Sequence, residues 1–238
     1  MSPDAPVRLF CLPYAGGGAS IFRSWAARLP AGIQLCPIQL PEREERLREP
    51  APTRVAAAVA QLTAALQRYL DRPYAIFGHS MGALLAFELA REFQRRGVRA
   101  PARLFLSAHR APNLPRAGSL LHTLDDPSLI AELRRIGGTP DEVLAHDELM
   151  ALALRTLRAD FELCETYDYV PGGPLDVPLT IMGGAGDREV PLASLDDWRH
   201  ASSRAVTQRI FPGDHFYLHE SSPAVVAAIR EDLGPVTQ

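Results

Sequence analysis

The sequence contains no lysine: all 25 basic residues are arginines. That excludes a phosphate-loop lysine, a Schiff-base lysine and a serine–lysine dyad. Cysteine is scarce. Cys11, Cys36 and Cys164 are too few and too scattered for a disulfide framework or a zinc cluster. Two of them sit in apolar strand-like runs, where cysteine acts as a small hydrophobe, and an odd count of thiols in a core-rich chain fits the reducing cytoplasm. No excess of one charge exists either. The 25 basic side chains face 28 acidic ones, and a net charge of −3 offers no field for holding nucleic acid. The N-terminus, MSPDAPVRLF, lacks a basic region followed by a long apolar stretch, so no signal peptide is read there. No apolar run approaches the roughly 18–20 residues of a membrane span. Internal repeats and low-complexity segments are absent as well.

What is present suits a folded α/β chain. The 238 residues, 47% of them hydrophobic, exceed one average domain without reaching two. Short apolar runs at Val7–Leu12, Ile33–Ile38, Tyr74–Phe77, Leu104–Ser107, Leu179–Met182 and Val206–Phe211 read as strands. Several lack alternation, as expected for strands covered on both faces. Helical patterns lie between them at Ser20–Leu29, Arg54–Leu70, Ala83–Arg96, Leu195–Ala201 and Ala224–Leu233. Alternation of this kind predicts right-handed βαβ crossovers and a mostly parallel sheet with flanking helices. One stretch departs from the rhythm. Residues 109–177 carry helical patterns and no convincing strand, with a helix expected over Asp147–Asp168 that places Met150, Leu154, Leu157, Phe161 and Cys164 on one face. The expected organisation is a core of residues 1–108 and 178–238 with a helical lid of 109–177 inserted over the strand ends, Leu154 facing an acyl channel.

The chemistry concentrates in Gly78-His79-Ser80-Met81-Gly82, a G-x-S-x-G run that follows one predicted strand and opens a helix. A sharp strand-to-helix turn leaves no room for side chains two positions either side of the serine, and it exposes the hydroxyl above a helix N-terminus. A serine needs a base. Of seven histidines, His215 lies just after the last strand, on the strand-end rim where parallel sheets build their sites. His219 could pair with it at a metal, but no third ligand has suitable spacing. The base needs a carboxylate to fix its tautomer. Asp187 follows the strand Leu179–Met182, whereas Asp214, adjacent to the histidine, is badly placed to reach the far ring nitrogen. The order Ser80, Asp187, His215 is the one expected of α/β-hydrolases. Oxyanion donors are expected from the backbone N–H of Met81 and from Ala15 in the loop Pro13–Gly18.

These residues resemble a known family, the stand-alone type II thioesterases of polyketide and nonribosomal peptide synthesis. The likeness rests on CLPYAGGGAS (Cys11–Ser20), GHSMGALLAFELA (Gly78–Ala90), ADFELCETYDY (Ala159–Tyr169) and GDHFYL (Gly213–Leu218). It implies an α/β-hydrolase fold with a helical lid and a Ser80–His215–Asp187 triad, with no metal and no organic cofactor. It further implies hydrolysis of aberrant or stalled acyl groups from the phosphopantetheine arm of acyl or peptidyl carrier proteins; a cytoplasmic location, read from the thiols and the N-terminus, and a monomeric state are expected alongside. An acyl-CoA thioesterase or carboxylesterase of the same fold is the alternative. A macrocyclising terminal thioesterase fits less well, because the chain begins at Met1 with no carrier domain attached. Two departures stand out: Glu42 where many relatives have glycine in Pro-Gly-Arg-Glu, and Tyr14 where some have histidine. Carrier proteins of these systems are acidic, so docking would need a local basic patch. Arg43 and Arg46, after the strand Ile33–Ile38 on the same rim as the nucleophile, are the expected docking residues.

Overall fold

The six apolar runs become the six strands of one sheet in the computed structural model, which describes residues 5–116 and 118–234. They are β1 (Val7–Leu12), β2 (Ile33–Pro37), β3 (Tyr74–His79), β4 (Leu104–Ser107), β5 (Leu179–Gly184) and β6 (Val206–Phe211). Their order is β2-β1-β3-β4-β5-β6, and every neighbouring pair is parallel. Central β3 and β5 bury every residue, whereas the edge strands β2 and β6 keep partial exposure. That is why the central runs read as unbroken apolar stretches. β3 and β5 each run two residues past their apolar runs. Pairing continues through Gly78–His79 and Gly183–Gly184, which an apolar count does not register.

Helices α1 (Val55–Leu66) and α2 (Met81–Arg95) cover one face of the sheet. The core there includes Val59, Leu62, Leu84, Phe87 and Trp198. A second core, with Phe22, Trp25, Phe77, Val225 and Ile229, fills the opposite face. Two segments expected as helices are 3₁₀ rather than α: Ala19–Ala27 and Leu192–His200. Their buried anchors, Phe22 with Trp25 and Leu195 with Trp198, are three residues apart. Three residues per turn lines up such a pair on one side.

Between β4 and β5 come a 3₁₀ turn (Leu121–Thr123), α3 (Asp126–Ile136), α4 (Asp141–Leu144) and α5 (Asp147–Glu165), with no strand among the described residues. Asp125 caps α3, accepting the Ser128 N–H at 2.9 Å. Leu129, Leu133, Met150, Leu154 and Leu157 form a separate apolar cluster that holds these helices to one another. The chain ends through α6 (Tyr217–Glu220) and α7 (Ser222–Leu233). No described helix is long and apolar enough to cross a membrane.

The strand order sets the site. From β1 the sheet grows one way to β2 and the other way to β3, so the crevice at their C-terminal ends is the topological switch point. The loop after β1 and the turn after β3 meet there.

Candidate active site

Ser80 sits at the turn from β3 into α2 with φ 53° and ψ −117°. A serine in that region is strained, and the strain projects its hydroxyl from the sheet. The flanking glycines are sterically required. A Cβ on Gly78 would lie 2.0 Å from the Gly82 carbonyl oxygen, and one on Gly82 would lie 2.2 Å from the Leu12 carbonyl oxygen. The Ser80 N–H donates to the Ser107 carbonyl at 2.8 Å, which ties the elbow to β4.

His215 and Asp187 converge on this hydroxyl from the ends of β6 and β5. The His215 Nε2 stands 3.0 Å from the Ser80 Oγ, and the Nδ1 stands 2.9 Å from the Asp187 Oδ2. A carboxylate can only accept, so Nδ1 carries the proton and Nε2 is left to receive the serine's. The other Asp187 oxygen accepts the N–H groups of Glu189 and Val190, each at 2.9 Å, which fixes the carboxylate. Asp214 turns away and accepts the Phe216 N–H at 2.8 Å. The Met81 N–H begins α2, and Ala15 lies in the loop after β1. Among the described residues neither N–H has a hydrogen-bond partner.

These groups open on a cavity of about 720 Å³ lined by Ser80, Ala15, His215, Leu121, Leu124 and Phe161, among others. A smaller recess of about 70 Å³ reaches the same serine between Leu133, Ile136, Leu157 and Phe216. The segment joining β4 to β5 thus supplies much of the apolar wall. Leu154 does not face either space. It packs inside the cluster of α3 and α5, one turn from Leu157, which does line the recess. The spacing alone put Leu154 and Leu157 on one face without saying what covers each.

His79 holds His215 from behind. It is fully buried, and its Nε2 lies 2.9 Å from the His215 carbonyl oxygen while Nδ1 meets the Ser107 Oγ at 2.7 Å. The carbonyl only accepts, so His79 carries its proton on Nε2 and receives one from Ser107, whose oxygen in turn receives the Tyr217 hydroxyl's. Burial, then the neighbouring His215, holds the His79 pKa well below 6.5, so it is neutral. Ser107 carries no motif signal in the sequence, and Tyr217, although it lies in GDHFYL, carries none for this role; only their meeting in space defines the relay. His219 hydrogen-bonds Tyr14, Nε2 to hydroxyl at 2.9 Å. Burial pushes the Tyr14 hydroxyl up to about 12. No group of three His, Cys, Asp or Glu residues that could hold a metal occurs among the described residues.

The docking arginines part company. Arg43 is 5% exposed, and its guanidinium grips the buried Asp160 of α5 with two 2.9 Å bonds, Nη1 to Oδ2 and Nη2 to Oδ1. A guanidinium enclosed in this way cannot form a surface patch, so Arg43 is corrected from docking residue to interior clamp. Its position on the rim was legible, but its inward direction was not. Arg46 stays half-exposed, paired with Glu49 at 2.6 Å. Glu42 takes φ 67°, the left-handed backbone that glycine adopts freely, so the loop keeps that shape without the glycine. Its carboxylate pairs with Arg155.

Residues 7–233 match the thioesterase domain family. The gramicidin S biosynthesis protein GrsT of Aneurinibacillus migulanus is 43% identical over 229 residues, covering 96% of this chain and 90% of its own length. The RedJ thioesterase from the prodiginine biosynthetic pathway in Streptomyces coelicolor is a solved structure with TM-score 0.91 at 38% identity, covering 96% of this chain and 91% of that one. The type II thioesterase BorB from the borrelidin biosynthetic cluster aligns with TM-score 0.88 at 38% identity, covering 97% and 94%.

Proposed function

The chain belongs to the thioesterase domain family, and from that premise we propose that it is a serine thioesterase clearing aberrant or stalled acyl groups from phosphopantetheine arms of carrier proteins in polyketide or nonribosomal peptide biosynthesis. The observation that carries the reading is the Ser80–His215–Asp187 chain, at 3.0 and 2.9 Å, beneath an apolar-walled cavity. The biosynthetic settings of its relatives support the substrate class. Arg110 and Arg116 also line the cavity and suit a phosphate-bearing arm.

In this mechanism Ser80 attacks the thioester carbonyl as His215 takes its proton, and Asp187 stabilises the imidazolium. The N–H groups of Met81 and Ala15 hold the tetrahedral oxyanion, aided by the N-terminus of α2. Collapse expels the pantetheine thiolate, which His215 protonates. Water, deprotonated by His215, then hydrolyses the acyl-serine and frees the acid.

Residues 109–177 act here as a lid whose apolar wall receives the acyl chain. Leu124→Asn, at the cavity wall, is expected to change chain-length preference several-fold while moving stability by about 1 kcal/mol or less. Leu154→Asn, in the helical cluster, is expected to cost about 3 kcal/mol by burying an unpartnered amide. Urea melts and a C2-to-C12 substrate panel separate the two. Reversed results would place the channel elsewhere.

The substrate class is tested by comparing kcat/KM for one acyl group on a carrier protein, on coenzyme A and on N-acetylcysteamine. Preference for the carrier substrate by 10-fold or more is expected, and equal or greater rates on coenzyme A would favour the acyl-CoA reading. Arg46, which also donates to the Gln39 carbonyl at 2.8 Å, is the remaining docking candidate, since its exposed pair with Glu49 is weak enough to exchange. Arg46→Ala is expected to raise KM for the carrier substrate alone.

A further inference from the structure

Asp160 is an acid in the middle of an apolar helical face, between Leu157 and Leu163, and it is only 2% exposed. One of its oxygens, Oδ2, accepts the backbone N–H of Gly16 at 2.7 Å as well as Arg43 Nη1 at 2.9 Å; Oδ1 accepts Arg43 Nη2 at 2.9 Å. Arg43 also donates to the carbonyls of Gly17 at 3.2 Å and Pro41 at 3.0 Å. Gly16 is the residue after Ala15. Its φ of 77° and the 2.9 Å bond from the Gly17 N–H to the Tyr14 carbonyl make a tight turn there. With the Gly16 and Gly17 donors both used, the Ala15 N–H is the one this turn leaves without a protein partner.

Stability alone does not call for this arrangement. A buried ion pair replaced by apolar side chains of similar volume often leaves a protein as stable or more so. What apolar residues could not supply is an acceptor for the Gly16 N–H, and hence a fixed orientation for the peptide that follows Ala15. The acceptor comes from α5, which also walls the recess: a Cβ on Gly16 would lie 2.7 Å from the Leu157 Cδ2.

We propose that Asp160, braced by Arg43, is a positioning residue that sets the oxyanion loop, making the seating of α5 over the site and the placement of the Ala15 N–H one state. The inference rests on Ala15 being an oxyanion donor at a Ser80-centred site. A lid helix displaced from the loop takes the Gly16 acceptor with it, so hydrolysis is competent only when the acyl chamber is closed.

The test compares an alkyl trifluoromethyl ketone, which adds to Ser80 and presents an oxyanion, with an amide isostere of the thioester, which does not. Because any neutral residue at Asp160 alone would strand a buried guanidinium, the main variant is R43M/D160L, with R43Q/D160N as the neutral pair that keeps an oxygen acceptor for Gly16. R43M/D160L is expected to melt near wild type and to lose about 10²-fold in kcat with KM within about 3-fold. Ketone affinity falls in step, amide affinity holds, and R43Q/D160N recovers most of the loss. As a control, R155A/T156V removes two other ties from α5 to the loop at Glu42 and leaves ketone affinity intact. The proposal is overturned if R43M/D160L keeps its ketone affinity, if both ligands weaken equally, or if R43Q/D160N is no better than R43M/D160L. Failure of the underlying site reading shows separately, as turnover persisting in Ser80→Ala.

Discussion

Ser80→Ala and His215→Ala are each expected to lower kcat by 10³-fold or more, and the double variant by little beyond either alone. The reason is the geometry: in the proposed mechanism the serine is activated through the 3.0 Å contact with His215 Nε2, and the base has no role without the hydroxyl it deprotonates. Groups that act as one unit lose their effect together. Residual activity in both variants comes from binding and from the oxyanion donors, which neither substitution touches. Single-turnover assays on one short acyl thioester measure this. Losses that multiply in the double variant would mean that the two residues act in separate steps.

Acidification from pH 7 to pH 5 is expected to lower folding stability, by about 2 kcal/mol through His109, with His79 acting in the same direction. Both are depressed from an ordinary pKa of 6.5. For His79 the cause is burial and then the nearby His215; for His109, burial and then Arg110 bring it to about 4. The sign follows from which state binds protons. Above pH 6.5 both histidines are neutral folded and unfolded, and pH has no leverage through them. Below it the unfolded chain takes up protons that the folded one refuses, so unfolding gains about 1.4 kcal/mol per pH unit per histidine. For His109 this ends near pH 4. Carboxylates that arginine partners hold low, such as Glu92 at about 2, enter only below this window. Urea unfolding at half-unit pH steps checks the slope. A flat profile from pH 7 to pH 5 would mean that water reaches these rings.

Much of this site is legible in the sequence because its parts are local. The elbow is five consecutive residues whose glycines answer contacts of 2.0 and 2.2 Å with backbone oxygens. Asp187 and His215 each follow a strand, so the strand pattern alone carries them to one rim. What is hidden depends on direction. Arg43 and Asp160 are 117 residues apart, and each reads as an ordinary charge until the fold encloses both. Asp160 did leave a trace: an acid among Leu157, Phe161 and Cys164 breaks an apolar stripe, and a break of that kind calls for a buried partner. The relay of Tyr217, Ser107 and His79 left no trace as a relay, because two hydroxyls and an imidazole on three separate elements follow no period. Likewise the 3₁₀ segments could be found but not typed, since two anchors three residues apart suit either helix.

The central claim is that the acyl group passes through Ser80. It is tested most directly by mass spectrometry of enzyme quenched in milliseconds after mixing with an acyl thioester of thiophenol, whose good leaving group speeds acylation and leaves deacylation unchanged. The expected result is one acyl mass per chain on the peptide that carries Ser80, decaying at the steady-state rate and absent from Ser80→Ala. An acyl group on another residue, or full turnover by Ser80→Ala, would contradict it.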